Sequence, residues 1–282
     1  MLWQPERQYG IWSLYREVQA GIRVNRLHIN RVNVREQFES YIAPYDLSDP
    51  KIRLKAEHTY RVAELCARIA ASLSVPAEDE DLAWLLGMLH DIGRFEQVRR
   101  YGTFVDAQSV DHAAFGADLL FQENLIRRFV SSDEEDSLIE QSIRLHNVFQ
   151  LPEDSSDRER TFAQILRDAD KIDIVRVNCE FPRSEIYNLP EEEFLMSDIS
   201  DEVLQDALSM RNVLRAHRRT AADYIVGQIS LTFGLVYEES RRIIREQGYL
   251  DHIMNYESRN PETMRRLELI RGRVEQFLQG AG

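Results

Sequence analysis

The stretch DLAWLLGMLHDIGRF, residues 81–95, decides how this 282-residue chain is read. Leu82, Leu85, Leu86 and Leu89 recur at the three-to-four-residue spacing of an α-helix, not at the two-residue alternation of a strand. The helix ends on His90-Asp91, an imidazole beside a carboxylate, with Gly93 placed to stop it. Adjacent residues cannot share one face of a regular helix interior, but at a helix end both can turn toward one centre. The segment therefore predicts an apolar helix that delivers two polar donors at its C-terminal tip.

Working outward, the pattern stays helical. Upstream, Asp49-Pro50 marks a boundary, and a helix over 51–73 presents His58, Val62, Leu65 and Ile69 on one face before Val75-Pro76 closes it. Earlier still, Phe38 and Ile42 fit a short helix ending near Pro44, and Ile11, Leu14, Tyr15, Val18 and Ile22 recur at helical spacing. Downstream, residues 94–109 read as a loop or short helix, and a helix from about 110 groups His112, Phe115 and Leu119. Ser132-Asp133-Glu134-Glu135 fits a capping box opening a helix with Ile139 and Ile143 toward His146. Ser156-Asp157-Arg158-Glu159 fits another, opening a helix with Phe162, Leu166, Ala169, Asp170 and Asp173.

Beyond Pro182, Leu204, Leu208, Met210 and Leu214 read as one helix, and residues 224–233 are apolar almost all round. Asn260-Pro261 starts a helix whose stripe Met264, Leu267, Ile270, Val274 and Phe277 is core or a homodimer surface. Strand signals are weak throughout. The fold class is all-α: residues 1–50 form an N-terminal helical extension packing on a core at 51–180. Residues 181–282 add C-terminal helices that make one globular unit with the core.

Composition narrows the field. A formal charge of −13 leaves no basic stripe for a nucleic-acid polymer. No stretch approaches the ~20 apolar residues of a membrane span, and the first residues lack the apolar block of a secretory leader. A cytoplasmic location is the default expectation. Two cysteines make no disulfide framework, and Cys66, among Val62, Leu65 and Ile69, reads as a small core residue.

Six residues then stand out in order: His58, His90, Asp91, His112, His146 and Asp170, which include four of the chain's seven histidines. Imidazole with carboxylate suits a divalent transition metal, Fe, Mn, Co, Ni or Zn, where an oxygen-only set would suit Mg or Ca. Local metal motifs are missing: there is no HExxH, no CxxC and no EF-hand loop. Each histidine alone would sooner be structural than ligating. The argument lies in the set, delivered by five successive helices that must converge.

The string His58…His90-Asp91…His112…His146…Asp170, with His90-Asp91-Ile92-Gly93-Arg94 and Asp168-Ala169-Asp170-Lys171-Ile172-Asp173, resembles the HD-domain family of metal-dependent phosphohydrolases over roughly 50–180. Two extra histidines between the HD pair and the last aspartate are similar to binuclear members, which hydrolyse cyclic dinucleotides or dinucleoside polyphosphates. The resemblance implies that His58, His90, Asp91 and Asp170 hold a first ion. His112 and His146 would hold a second, with Asp91 bridging. It implies a small phosphorylated, nucleotide-like substrate attacked by metal-activated hydroxide. Arg94, with Arg99, Arg100 or Lys171, would clamp the phosphate, and Asp173 would steady a ligand. Two departures are notable. Arg94 stands where the family carries lysine, and the Gly-Tyr-Pro signature of the signalling branch is missing, since Leu250 follows Gly248-Tyr249. Three rivals remain: a mononuclear nucleotide phosphomonoesterase, a di-iron oxygenase on the same ligands, and a regulatory module without catalysis.

Overall fold

The structure, a computed structural model, describes residues 27–280. The helix expected over 11–22 lies outside them. Among the described residues every regular element is helical, as the periodicity predicts. The chain divides into two compact units, the first ending at Asp170 and the second beginning at Lys171.

The first unit contains α1 (Arg31–Ile42), α2 (Pro50–Ser72), α3 (Ala77–Leu89), α4 (Ile92–Tyr101), α5 (His112–Phe121) and α6 (Asp136–Arg144). It also holds the first half of α7 (Asp157–Glu180). Local chemistry sets several of the starts. Asp49 accepts from Lys51 N with Pro50 in the first turn of α2, where a missing N–H costs nothing. Ser156 and Glu159 form the expected reciprocal cap of α7, Ser156 N donating to Glu159 Oε2 (2.9 Å) and Glu159 N to Ser156 Oγ (3.3 Å).

Helix α3 is the centre of this unit. Every residue from Leu82 to Leu89 is buried, which explains why its sequence is apolar on all sides. Each leucine removed from water there contributes about 1.5–3 kcal/mol. Helix α2 lies along α3 so closely that a Cβ at Gly87 would fall 2.4 Å from Ala63 Cα.

Two boundaries of this unit differ from the sequence reading. Gly93 stops nothing: α3 ends at Leu89, His90 and Asp91 form the break, and Gly93 lies inside α4. That helix runs to Tyr101, ends on Gly102 at φ +67°, and is followed by a 3-10 turn at Asp106–Gln108. Ser132 opens no helix either. Arg127 binds the Ser132 carbonyl and the Asp136 carboxylate, and Arg158 takes Glu135 (2.6 Å), so α6 starts only at Asp136.

The second unit continues α7 and adds α8 (Arg183–Tyr187), α9 (Glu191–Met196), α10 (Asp201–Leu208) and α11 (Ala221–Ile229). It is completed by α12 (Glu238–Gln247), α13 (Tyr249–Met254) and α14 (Pro261–Leu278). Met210 and Leu214 do not extend α10, because Met210 turns left-handed at φ +51°. Asn260 caps α14 as expected, and Leu267, Ile270 and Val274 are its buried stripe. No helix among the described residues is long and apolar enough to cross a membrane.

Candidate metal centre

Each candidate ligand comes from a different local setting. His58 is buried on α2, and His90 and Asp91 occupy the break between α3 and α4. His112 opens α5, whose N-terminus is capped by Asp111 accepting from Ala113 N (2.9 Å) and Ala114 N (3.1 Å). His146 lies two residues past α6, and Asp170 lies on α7. A second glycine contact brings α5 against α4: a Cβ at Gly93 would sit 2.6 Å from His112 O and 2.7 Å from Gly116 N. Only a residue without a side chain allows that approach.

The six side chains converge as two groups that share one carboxylate. In the first, His58 Nε2 and His90 Nε2 are 3.3 Å apart, and Asp91 Oδ2 is 3.7 Å from each. Asp170 Oδ1 completes it, 3.1 Å from His58 Nε2 and 3.7 Å from His90 Nε2. In the second, His112 Nε2 and His146 Nε2 are 3.0 Å apart. Asp91 Oδ1 lies 3.5 and 3.9 Å from them. One donor atom from each of His58, His90 and Asp91 fits within 4.8 Å of the others, and the same holds for Asp91, His112 and His146.

The donor set fits bound cations on electrostatic grounds. His146 Nδ1 donates to Ile143 O (2.7 Å) and His112 Nδ1 to Asp106 Oδ2 (2.6 Å). With its Nδ1 hydrogen committed, each ring turns its Nε2 toward the other and toward Asp91. His90 Nδ1 likewise donates to Gly87 O (2.8 Å), leaving its Nε2 as a lone pair toward His58. Protonation of His146 or His90 is disfavoured. Burial, reinforced by the neighbouring His112 and His90, pushes His146 down to about 3. Burial lowers His90 as well, against the pull of Asp91 and Asp170. Burial opposes ionisation of Asp91, yet Lys55, His90, Arg94 and His112 hold its carboxyl well below the ordinary range. Asp170 behaves alike: burial raises it, and His58, His90 and His146 overcome that. Buried imidazoles facing ionised carboxylates fit divalent transition ions.

The remaining sequence candidates are placed differently. Arg94 Nη1 donates to Asp106 Oδ1 (2.7 Å), Phe104 O (2.6 Å) and Gln97 Oε1 (2.9 Å). Its Nε, buried and without a hydrogen-bond acceptor among the described residues, lies 3.6 Å from Asp91 Oδ1. Arg99 and Arg100 both bind Glu96, the first at 2.6 Å. Lys171 Nζ donates to Gly234 O (2.9 Å), and Asp173 is paired with Arg176 (2.7 and 2.9 Å).

Two participants escape a reading of the sequence. Lys55 Nζ reaches Asp91 Oδ2 at 2.7 Å; its one signal is a position three residues before His58, on the same helix face. Asp106 sits on the 3-10 turn, six residues before His112, with no periodicity to reveal it. Arg167 is a third structural surprise. It donates to the carbonyls of Leu145, His146, Val148 and Phe149 (2.6–3.3 Å), fixing the turn that carries His146.

Fold and site define an all-helical protein that gathers imidazoles and carboxylates around two candidate ion positions. Residues 56–174 match the family model of the HD domain, a family whose members are mostly metal-dependent hydrolases. Neither the curated proteins nor the solved structures yield a match.

Proposed function

We propose that the protein is a metal-dependent phosphohydrolase that cleaves a phosphate ester or anhydride in a small, nucleotide-like substrate. His58, His90, Asp91 and Asp170 hold one divalent ion; His112, His146 and Asp91 hold a second. The observation that carries this reading is Asp91, whose Oδ2 faces the first pair of imidazoles and whose Oδ1 faces the second. When bound in such pairs, divalent ions lower the pKa of water toward about 7 and offset charge on phosphoryl oxygens.

The chain's own residues supply the rest. Asp91 and Asp170 stay ionised across the physiological range, so they require no deprotonation before binding an ion. Lys55 flanks the Oδ2 side of Asp91 and Arg94 the Oδ1 side. These two cations offset part of the carboxylate charge gathered at the site. The unpartnered Nε–H of Arg94 is a donor available to a phosphate oxygen.

The test is ion counting on protein purified without a histidine tag. It is joined to a screen of phosphomonoesters, cyclic nucleotides and dinucleoside polyphosphates with Mn, Fe, Co, Ni and Zn. Two ions per chain and turnover of one substrate class are expected, and Asp91→Ala should remove both ions and the activity. One ion with phosphomonoester turnover would reduce the site to a mononuclear enzyme. Iron-dependent dioxygen uptake without hydrolysis would replace the reading by an oxygenase.

A further inference from the structure

We propose that Asp106, outside the six-residue pattern, is a positioning residue that holds His112 and Arg94 in register through one carboxylate. The inference rests on the ion-binding reading above and adds a residue to it. Oδ2 of Asp106 accepts the Nδ1 hydrogen of His112 at 2.6 Å. Oδ1 accepts from Arg94 Nη1 at 2.7 Å and from Gln97 Nε2 at 3.0 Å. The turn that carries it is itself tied down: Gln97 Nε2 also reaches Ser109 Oγ (2.9 Å) and Val110 O (3.0 Å), and Ser109 Oγ donates to Val105 O (3.0 Å).

Two consequences follow from this one group. The Nδ1 hydrogen of His112 is committed, so its Nε2 is aimed at the space shared with His146 and Asp91. The Nη1 end of Arg94 is also committed, which turns its Nε toward Asp91 Oδ1. A carboxylate can do both because each oxygen accepts; an amide has one accepting oxygen and must release either the histidine or the arginine. Asp106, Asp111 and His112 also offer donor atoms within 4.8 Å of one another. Both Asp106 oxygens are already hydrogen-bonded, however, and Asp111 Oδ1 caps α5. Asp106 therefore acts on the histidine and is not a third ion site.

The experiment compares wild type, Asp106→Asn and Asp111→Asn by cobalt(II) titration, with long-range ¹H–¹⁵N spectra of the ion-free proteins. Wild type should show His112 with its hydrogen on Nδ1. Asp106→Asn should bind one of the two ions about 10- to 100-fold more weakly, the usual consequence of losing a carboxylate behind a ligating histidine, and leave the other unchanged. Asp111→Asn should change neither, because asparagine caps a helix as well as aspartate does. Unchanged affinity for both ions in Asp106→Asn would overturn the proposal, as would equal weakening of both. Equal loss in Asp111→Asn would make the acidic trio itself the ion site and overturn it too. Should Asp106→Asn fail to fold, a His112 without a hydrogen on Nδ1 in the ion-free wild type would still end the proposal. None of these measurements uses a substrate, so a failed phosphohydrolase reading and a failed positioning role give different results.

Discussion

His112 Nε2 and His146 Nε2 lie 3.0 Å apart, and the burial of His146 makes acid sensitivity predictable. An ordinary histidine titrates near 6.5, whereas buried His146 is pushed down to about 3. Between those values the unfolded chain binds a proton that the folded chain refuses. Stability of the ion-free protein therefore falls as pH drops below about 6.5, by roughly 1.4 kcal/mol per pH unit for this one group. Ion-free protein should melt lower at pH 5 than at pH 7. His146→Ala should flatten that slope. The depressed carboxyls of Asp91 and Asp170 act in a lower window. Their contribution is present above about 3.9 and is lost as pH falls further. The same histidine splits the site: His146→Ala should keep the ion near His58 and Asp170 and lose the other, read by elemental analysis. Loss of both ions in His146→Ala would sink the two-group assignment. The six pattern residues were legible in the sequence because their type and order are distinctive. Lys55 and Asp106 were not, since one lysine on a helix face or one aspartate in a turn looks like solvated surface until the fold places it.

At the scale of elements, two glycines decide how closely the ligand-bearing helices approach. Gly87 lets α3 press on α2 at Val62 and Ala63, and Gly93 lets α4 press on α5 at His112 and Gly116. In each case the atoms a Cβ would strike are backbone, which cannot swing aside. Gly87→Ala should prise apart the helices of His58 and His90; Gly93→Ala should separate Asp91 from His112. Each should cost about 1–3 kcal/mol of stability, as overpacking does, measured by denaturant unfolding. Each should also weaken a different ion. Equal effects on both ions would contradict this division. The sequence reading treated Gly93 as a helix stop, because a glycine after a periodic run has that meaning by default. Its actual reason, contact with a helix some twenty residues onward, is tertiary and leaves no local trace. The Ser132 capping box failed on similar grounds. Arg158 takes the Glu135 carboxylate that such a cap would have used, while Arg127 ties the Ser132 carbonyl to the Asp136 carboxylate. Where capping was purely local, at Asp49-Pro50, Ser156 and Asn260, the helix starts read correctly from sequence.

For the molecule as a whole, all six candidate ligands belong to the unit that ends at Asp170. Ion binding stabilises whatever folds around it, by about 2.7 kcal/mol at a hundred times the dissociation constant. Hydrogen exchange with and without added Mn²⁺ should show new protection concentrated in α2 to α6 and the first half of α7. Uniform protection across α10 to α14 would count against that assignment. Helix α7 has a double attachment in this unit. It carries Asp170, and one turn earlier Arg167 grasps four carbonyls around His146. A ligand beyond the end of its own helix is thereby slaved to the helix of another ligand. Sliding α7 along its axis would drag Asp170 and the His146 turn in the same direction, so the two yield to such a push in concert.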